Sequence, residues 1–159
     1  MYTPHVKREQ GYTLLEVIVV VMIVSLLTVV SIPNFLAWLH QYRLQAATAT
    51  MMNHLRAARL LAIFTGVEHQ MQIRDHETGN YYQVVEDPKG DDLVVMSIGR
   101  VNLNTRYKEV QVKKLTRNGQ FTFRPKGTAT NGSFVLENSQ QKQIRIVIDK
   151  WGRIRQEYP

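Results

Sequence analysis

Lys7-Arg8-Glu9-Gln10-Gly11-Tyr12-Thr13-Leu14-Leu15-Glu16, running straight into the apolar residues 17–32, decides the architecture. From Tyr12 to Ile32 there are 21 residues, and Glu16 is the only charged one. A helix of that length, at ~1.5 Å per residue, covers about 30 Å, the thickness of a bilayer's hydrocarbon core. The run Val17-Ile18-Val19-Val20-Val21-Met22-Ile23-Val24 is rich in β-branched residues, which lowers helix propensity in water. In lipid the backbone must satisfy its own hydrogen bonds, so helix is expected regardless. Lys7 and Arg8 precede the run, which predicts a cytoplasmic N-terminus and a domain on the far side of the inner membrane. A secretory signal has an apolar core of only about 7–15 residues with a small-residue cleavage site behind it. This run is longer, and no such site follows it. A plain membrane anchor explains the length and the two basic residues but leaves Glu16 without a purpose. A carboxylate in a membrane span costs up to about 3 kcal/mol near the centre, less near the end, and is a functional candidate by default.

Beyond Pro33 the helical pattern continues. Leu44, Ala47, Met51, Leu55, Ala58 and Ala62 recur at spacings of three or four, with Asn53 and Arg56 on the opposite side. This predicts an amphipathic helix with a narrow, small-residue apolar stripe, stopped by Gly66. One helix from Tyr12 to about Thr65 is expected, bent at Pro33, where a backbone donor is missing. Arg43, Arg56 and Arg59 are expected to be solvated. After Gly66 the period changes to two. Strands are predicted at 67–73, Tyr81–Val85, Leu93–Ile98, Val110–Leu115, Gln120–Arg124, Ser133–Glu137, Gln143–Asp149 and Arg153–Glu157, with turns at 74–80, Asp87–Asp92 and Asn138–Lys142. The fold class is therefore α+β: a long N-terminal helix packed on an antiparallel meander. The expected segments are 12–32 in the membrane, 33–66 as the amphipathic half-helix, and 67–159 as the sheet domain.

Composition narrows the chemistry. There is no cysteine, so thiolate catalysis, cysteine metal sites and disulfides are excluded. The net charge of +7 is unevenly spread. Residues 60–99 hold two basic residues against seven acidic ones, a net of −5, whereas residues 100–159 hold thirteen against four, a net of +9. The C-terminal third is therefore an anion-binding candidate. The five histidines, His5, His40, His54, His69 and His76, show no metal-ligand spacing. Asp87, Asp91 and Asp92 read as a polar turn rather than a calcium loop. No phosphate-binding glycine loop, nucleophile elbow or paired-carboxylate signature is present, so neither a metal, a cofactor nor an enzyme active site is expected.

Gly11, Tyr12 and Thr13-Leu14-Leu15-Glu16 together resemble the prepilin cleavage and methylation motif of type IV pilins and type II secretion pseudopilins. The resemblance implies a leader over residues 1–11, removed by a prepilin peptidase that cuts after Gly11, and N-methylation of Tyr12. The family usually carries Phe where this chain has Tyr12. The resemblance further implies that Glu16 neutralises the terminal amine of a neighbouring subunit during filament assembly. Pro33 stands where the family has a helix-kinking proline. The partners implied are other minor and major pilins or pseudopilins.

The other end narrows the resemblance. Phe121-Thr122-Phe123-Arg124-Pro125-Lys126-Gly127-Thr128 and Trp151-Gly152-Arg153-Ile154-Arg155 are similar to the C-terminal domains of H-type secretion pseudopilins and FimT-type minor pilins. Gly152-Arg153-Ile154-Arg155 resembles the Gly-Arg-x-Arg tail with which FimT-type pilins bind DNA. On a strand, Arg153 and Arg155 would share one face, about 7 Å apart, with Ile154 turned to the core. Lys150 precedes the turn and Arg145 lies on the preceding strand, so all four are DNA-binding candidates. Trp151 is expected to pack on the sheet. Three readings remain open: a minor pilin that binds DNA during uptake, an H-type pseudopilin at the tip of a secretion pseudopilus, and an anchored protein that never polymerises.

Overall fold

The computed structural model describes residues 11–75, 77, 79–86 and 98–158. One helix, α1, runs from Leu14 to Thr65. Its start is fixed by Thr13, whose Oγ1 accepts the N–H of Glu16 at 3.2 Å. Thr-x-x-Glu is the order of a capping box, and a carboxylate in the first turn suits the positive end of the helix dipole. The helix continues through Pro33 and ends before Gly66, whose φ of +72° is the left-handed stop that glycine adopts without strain.

The chain divides into two compact units, residues 1–38 and 39–159. In the first, every described residue from Gly11 to Trp38 is exposed. Ser25, Thr28 and Ser31 donate their hydroxyls back to the carbonyls of Val21, Val24 and Leu27, at 2.7, 2.7 and 2.8 Å. Those side chains therefore ask nothing of their surroundings, as an apolar environment requires.

In the second unit α1 meets its own core. Leu44, Ala47, Met51, Leu55, Ala58 and Ala62 are all buried. Three alanines in that stripe let the sheet approach closely. The strands are β1 (His69–Ile73), β2 (Tyr81–Glu86), β3 (Val101–Asn102), β4 (Gln111–Lys113), β5 (Gln120–Phe123), β6 (Gly132–Glu137), β7 (Gln143–Ile148) and β8 (Ile154–Glu157), with a short helix α2 (Leu103–Arg106) between β3 and β4. They build two antiparallel four-stranded sheets, β3-β2-β1-β5 and β4-β6-β7-β8, rather than one meander. The reason is long-range pairing: β5 returns to β1, while β4 crosses to β6. The predicted strand Val110–Leu115 shortens to β4, and β3 and α2 were not anticipated by alternation. The predicted turn Asp87–Asp92 and strand Leu93–Ile98 lie outside the described residues, except Ile98, which is not in a strand.

Both sheets send their inward faces into one core with the helix stripe. Met71, Ile73, Tyr82, Phe121 and Phe123 come from the first sheet, and Val112, Phe134, Leu136, Ile144, Ile146 and Ile148 from the second. The rings of Phe121 and Phe134, 5.7 Å apart, join the two. A fully buried side chain of this size stabilises by about 1.5–3 kcal/mol relative to exposure.

One turn is used three times. In Arg124–Thr128, Asn138–Lys142 and Asp149–Arg153 the first carbonyl accepts the N–H three residues on, at 2.8–2.9 Å, and the first N–H donates to the carbonyl four residues on, at 2.9–3.1 Å. The fourth residue is left-handed each time: Gly127, Gln141 and Gly152. This is a three-residue hairpin loop, a type I turn closed by a glycine-type bulge. Asn138 and Asp149 reinforce it alike, each Oδ1 accepting the N–H groups two and four residues ahead.

Asn80 ties the sheets together. It is fully buried with φ +49°, and its Nδ2 donates to the Val110 carbonyl (2.9 Å) and to Asn104 Oδ1 (2.6 Å). Its Oδ1 accepts the N–H of Val112 at 3.0 Å. Asn80→Ala leaves those buried groups unpaired and is expected to destabilise the fold by about 3 kcal/mol. Denaturant unfolding of the variant beside the parent chain, both in detergent micelles, checks the figure.

Candidate functional site

Two regions carry the residues singled out by the sequence. The first is the start of α1. Gly11 and Tyr12 precede the helix, and Tyr12 is 84% exposed, so main chain and ring are both accessible. Glu16 sits in the first turn with its N–H held by Thr13. Among the described residues no cation pairs with its carboxylate. Pro33 lies inside the helix, where its ring removes one donor. The helix is long and apolar enough to cross a membrane, and the apolar stretch has nothing packed over it among the described residues.

The second region is the basic cluster on β7, β8 and the turn between them. Asp149 organises it. Its Oδ1 accepts the N–H groups of Trp151 (2.9 Å) and Arg153 (3.0 Å), and its Oδ2 accepts Arg153 Nε at 2.6 Å. Desolvation pushes this carboxyl up, but the bonds from Arg153 and Trp151 outweigh it and hold it below the usual aspartate value.

β8 begins at Ile154, one residue after Arg153, which closes the turn opposite Asp149 with its N–H and its Nε both bonded to that carboxylate. Arg153 borders a cavity with Arg56, Arg59 and Leu60 of α1. Arg155 lines a different groove, about 460 Å³, with Arg145 and Lys150, on the outward face of the second sheet. Register explains the grouping. Arg155 lies opposite Val147 and Arg145 opposite Glu157, on the face away from Ile144, Ile146 and Ile148. The same face carries Lys113, opposite Val135, which is itself opposite Arg145. Lys113 and Arg145 are thus two strands, about 10 Å, apart. Arg117 joins the border, donating to Asn131 Oδ1 at 3.2 Å. Glu157 accepts Arg155 Nε at 3.0 Å, so part of the positive charge is internally balanced.

Trp151 does not pack on the sheet. Its ring is 59% exposed, with Lys150 Nζ 5.2 Å from the ring centre, a cation–π distance. Arg59 is likewise not free in solvent. It donates to the carbonyls of Gly127 (3.0 Å) and Trp151 (3.2 Å), clamping two hairpin turns to α1. A Cβ at Gly152 would collide with Arg59 and the Gly127 carbonyl, which is why glycine stands there. No local signal in the residues announces that clamp, because it spans 68 and 92 positions of sequence.

Two further polar clusters do not have the form of reaction centres. Ser139 Oγ and Glu109 Oε2 both meet His40 at Nδ1, at 3.3 and 2.6 Å. A nucleophile–base–orienter relay needs the two opposite ring nitrogens, so this is a clamp rather than a triad. Its hydrogen bond from Ser139 is the main influence holding the Glu109 carboxyl below its usual value. Tyr82 Oη and His54 Nδ1 share a hydrogen bond of 2.9 Å between helix and sheet. Burial, then the nearby Arg106, lowers the His54 pKa, and burial raises that of Tyr82. Among the described residues no group of three His, Asp or Glu side chains is placed to hold a metal ion.

The family model for the type II transport protein GspH matches residues 47–152. The chain belongs to the GspH family. The prokaryotic N-terminal methylation motif matches residues 6–32, over Gly11, Tyr12 and Glu16. The minor pseudopilin EpsH from the type 2 secretion system of Vibrio cholerae aligns with a TM-score of 0.53 at 12% identity, covering 72% of this chain and 96% of that one. The type IV minor pilin FimU of Pseudomonas aeruginosa aligns with a TM-score of 0.57 at 17% identity, covering 74% and 90%. At such identities the likeness is one of fold. No curated protein sequence matches closely enough to count as a relative. This GspH-family chain is a minor pilin or pseudopilin subunit, with a methylation motif and an apolar helix suited to membrane anchoring. Such subunits are structural rather than enzymatic.

Proposed function

We propose that this chain is a minor subunit of a type IV pilus-type fibre, and that the cationic outer face around Arg145, Lys150 and Arg155 binds DNA during uptake. In this reading Lys7 and Arg8 hold the N-terminus in the cytoplasm, where a prepilin peptidase cuts after Gly11. The new amino group, on Tyr12, is methylated and meets Glu16 of a neighbouring subunit. Pro33 bends the helix where it leaves the membrane.

The observation that carries the DNA reading is the grouping of Arg145, Lys150 and Arg155 along one groove, bordered by Lys113 and Arg117. Asp149 and Glu157 are the carboxylates lining that groove, and each already bonds an arginine. Such a face contacts phosphates, so binding tolerates sequence and weakens with salt. The exposed Trp151 ring offers a stacking surface for an unpaired base. A second reading, an H-type pseudopilin at the tip of a type II secretion pseudopilus that binds no DNA, draws on the family match as much as the first does.

Two measurements test the proposal. Full-length chain in detergent micelles, titrated with a short labelled duplex over a salt series, is expected to bind with a log–log slope of roughly −3, for about three neutralised phosphates. Arg145→Ala/Arg155→Ala should weaken binding about tenfold, and Arg153→Ala less, because Asp149 holds that arginine. Unchanged binding by the double variant removes this face from the account, and no binding at low salt supports the secretion reading. Intact-mass analysis of the protein from membranes should give a chain beginning at Tyr12 and carrying one added methyl group. A chain still bearing residues 1–11 contradicts the processing.

A further inference from the structure

β8 ends the second sheet: among the described residues no strand lies beyond it. The direction of its free groups is fixed by the turn before it. Asp149 N–H donates to the Arg153 carbonyl at 3.1 Å, and the two-residue alternation of an antiparallel ladder then points the main-chain groups of Arg155 and Glu157 at Val147 and Arg145. The N–H and C=O groups of Ile154 and Gln156 face away from the sheet. Edge strands are normally blunted by proline, a bulge or a guarding charge. β8 reads Ile-Arg-Gln-Glu, and its two charged side chains bond each other on the outward face. The core-facing side of the edge is left unguarded.

That side is also uncovered. Ile154 and Gln156 lie opposite Ile148 and Ile146, so they share the core-facing side with Tyr158. Ile154 is half-buried at the margin of the core, whereas Gln156 and Tyr158 are exposed. A groove therefore separates β8 from the flank of α1, with a cavity at each end. One, of about 410 Å³, is lined by Arg56, Leu60, Arg153 and Ile154. The other, of about 570 Å³, has Leu44 and Ile144 as its floor and Gln41, Gln45, Gln143 and Tyr158 on its walls.

An open strand edge flanked by a helix, with pockets for alternate side chains, is the arrangement used for β-strand addition. The lining selects the guest. Neither cavity is lined by a carboxylate, while Arg56 borders one, beside an Arg153 already held by Asp149, and Lys142 the other. Arg56 has the neutral Asn53 Oδ1 as its side-chain partner, at 3.2 Å. The glutamine amides between them both donate and accept, as a peptide backbone and polar side chains require. We infer that this groove receives an extended acidic peptide segment of a neighbouring protein subunit, added as a fifth strand to the four-stranded sheet. Only the origin of that segment rests on the reading of the chain as an assembling subunit. The peptide test below needs neither processing nor fibre formation nor DNA, so the two readings fail separately.

The test uses full-length chain in detergent micelles and two labelled peptides. One alternates Val and Thr with Glu at both ends. Its twin has the same side chains but N-methyl groups on alternate backbone nitrogens, which blocks strand pairing. Fluorescence anisotropy should show saturable binding of the first and at least about tenfold weaker binding of the twin, the loss expected when one or two ladder hydrogen bonds of about 1 kcal/mol are removed. Gln156→Pro deletes an outward-facing N–H, together with an exposed side-chain amide that donates to Tyr158 Oη at 3.2 Å, a change edge strands tolerate, and should weaken the first peptide by a similar factor. Arg56→Glu, on an exposed helix position, should also weaken it and serves if the proline variant does not fold. Absence of saturable binding, or equal binding of the two peptides, overturns the inference. So does undiminished binding by a folded Gln156→Pro chain, or by Arg56→Glu where the proline variant does not fold.

Discussion

Everything in this structure depends on α1 serving two environments with one continuous backbone. From Leu44 onward its apolar side chains are spaced for burial, and they are buried. From Tyr12 to Trp38 they are not spaced at all, and every described residue there is exposed. A Val, Ile or Leu left in water forfeits about 1.5–3 kcal/mol relative to burial. Summed over such a segment, that cost is comparable to the whole stability of a domain. The first unit therefore needs lipid or other subunits around it, and its hydroxyls, folded back on their own helix, ask for nothing polar in exchange. Glu16 is the exception: it is the one charged residue in that segment, and among the described residues no cation pairs with it.

The second unit shows how little of the domain is left to chance locally. Its hairpins reuse one loop geometry, two of them built on an Asx side chain that satisfies the turn from within. Asn80 and Arg59 then connect parts of the chain that no hairpin joins. Two features at the surface remain open: a cationic outer face on the second sheet and the edge at β8. The first suits a polyanion, the second an extended peptide. They occupy different sides of the same sheet, so a subunit of this shape has room to engage a fibre neighbour and a ligand together.

Much of the fold is legible in the residues. The six-residue stripe on α1, the stop at Gly66, the α+β class and most strands follow from periodicity and turn chemistry, because these are local signals. The number of sheets does not. Alternation says which face of a strand is buried but not which strand pairs with it, so β5 with β1 and β4 with β6 come only from the structure. The candidate site divides the same way. Arg145 and Arg155 meet because strand register aligns them, whereas the bond by which Asp149 holds Arg153 is a choice that alternation cannot see. Lys113 and Arg117 reach the cationic face through the pairing of β4 with β6 and the bond to Asn131, neither of which is a local signal. The Thr13-x-x-Glu16 order is a local signal: Thr13 Oγ1 accepts the Glu16 N–H, and a glutamate three residues after the cap suits a capping role within its own helix beside any role between subunits.

Those two roles of Glu16 separate in one measurement. A tagged chain carrying Glu16→Gln keeps a side chain able to complete the capping box but loses the charge. Its amount in sheared and purified fibres, relative to the membrane fraction, is compared with that of the parent chain. If Glu16 neutralises a neighbour's terminal amine, the variant accumulates in the membrane and is lost from the fibre. If it enters the fibre at the parent level, the carboxylate is a helix cap and not the joint between subunits.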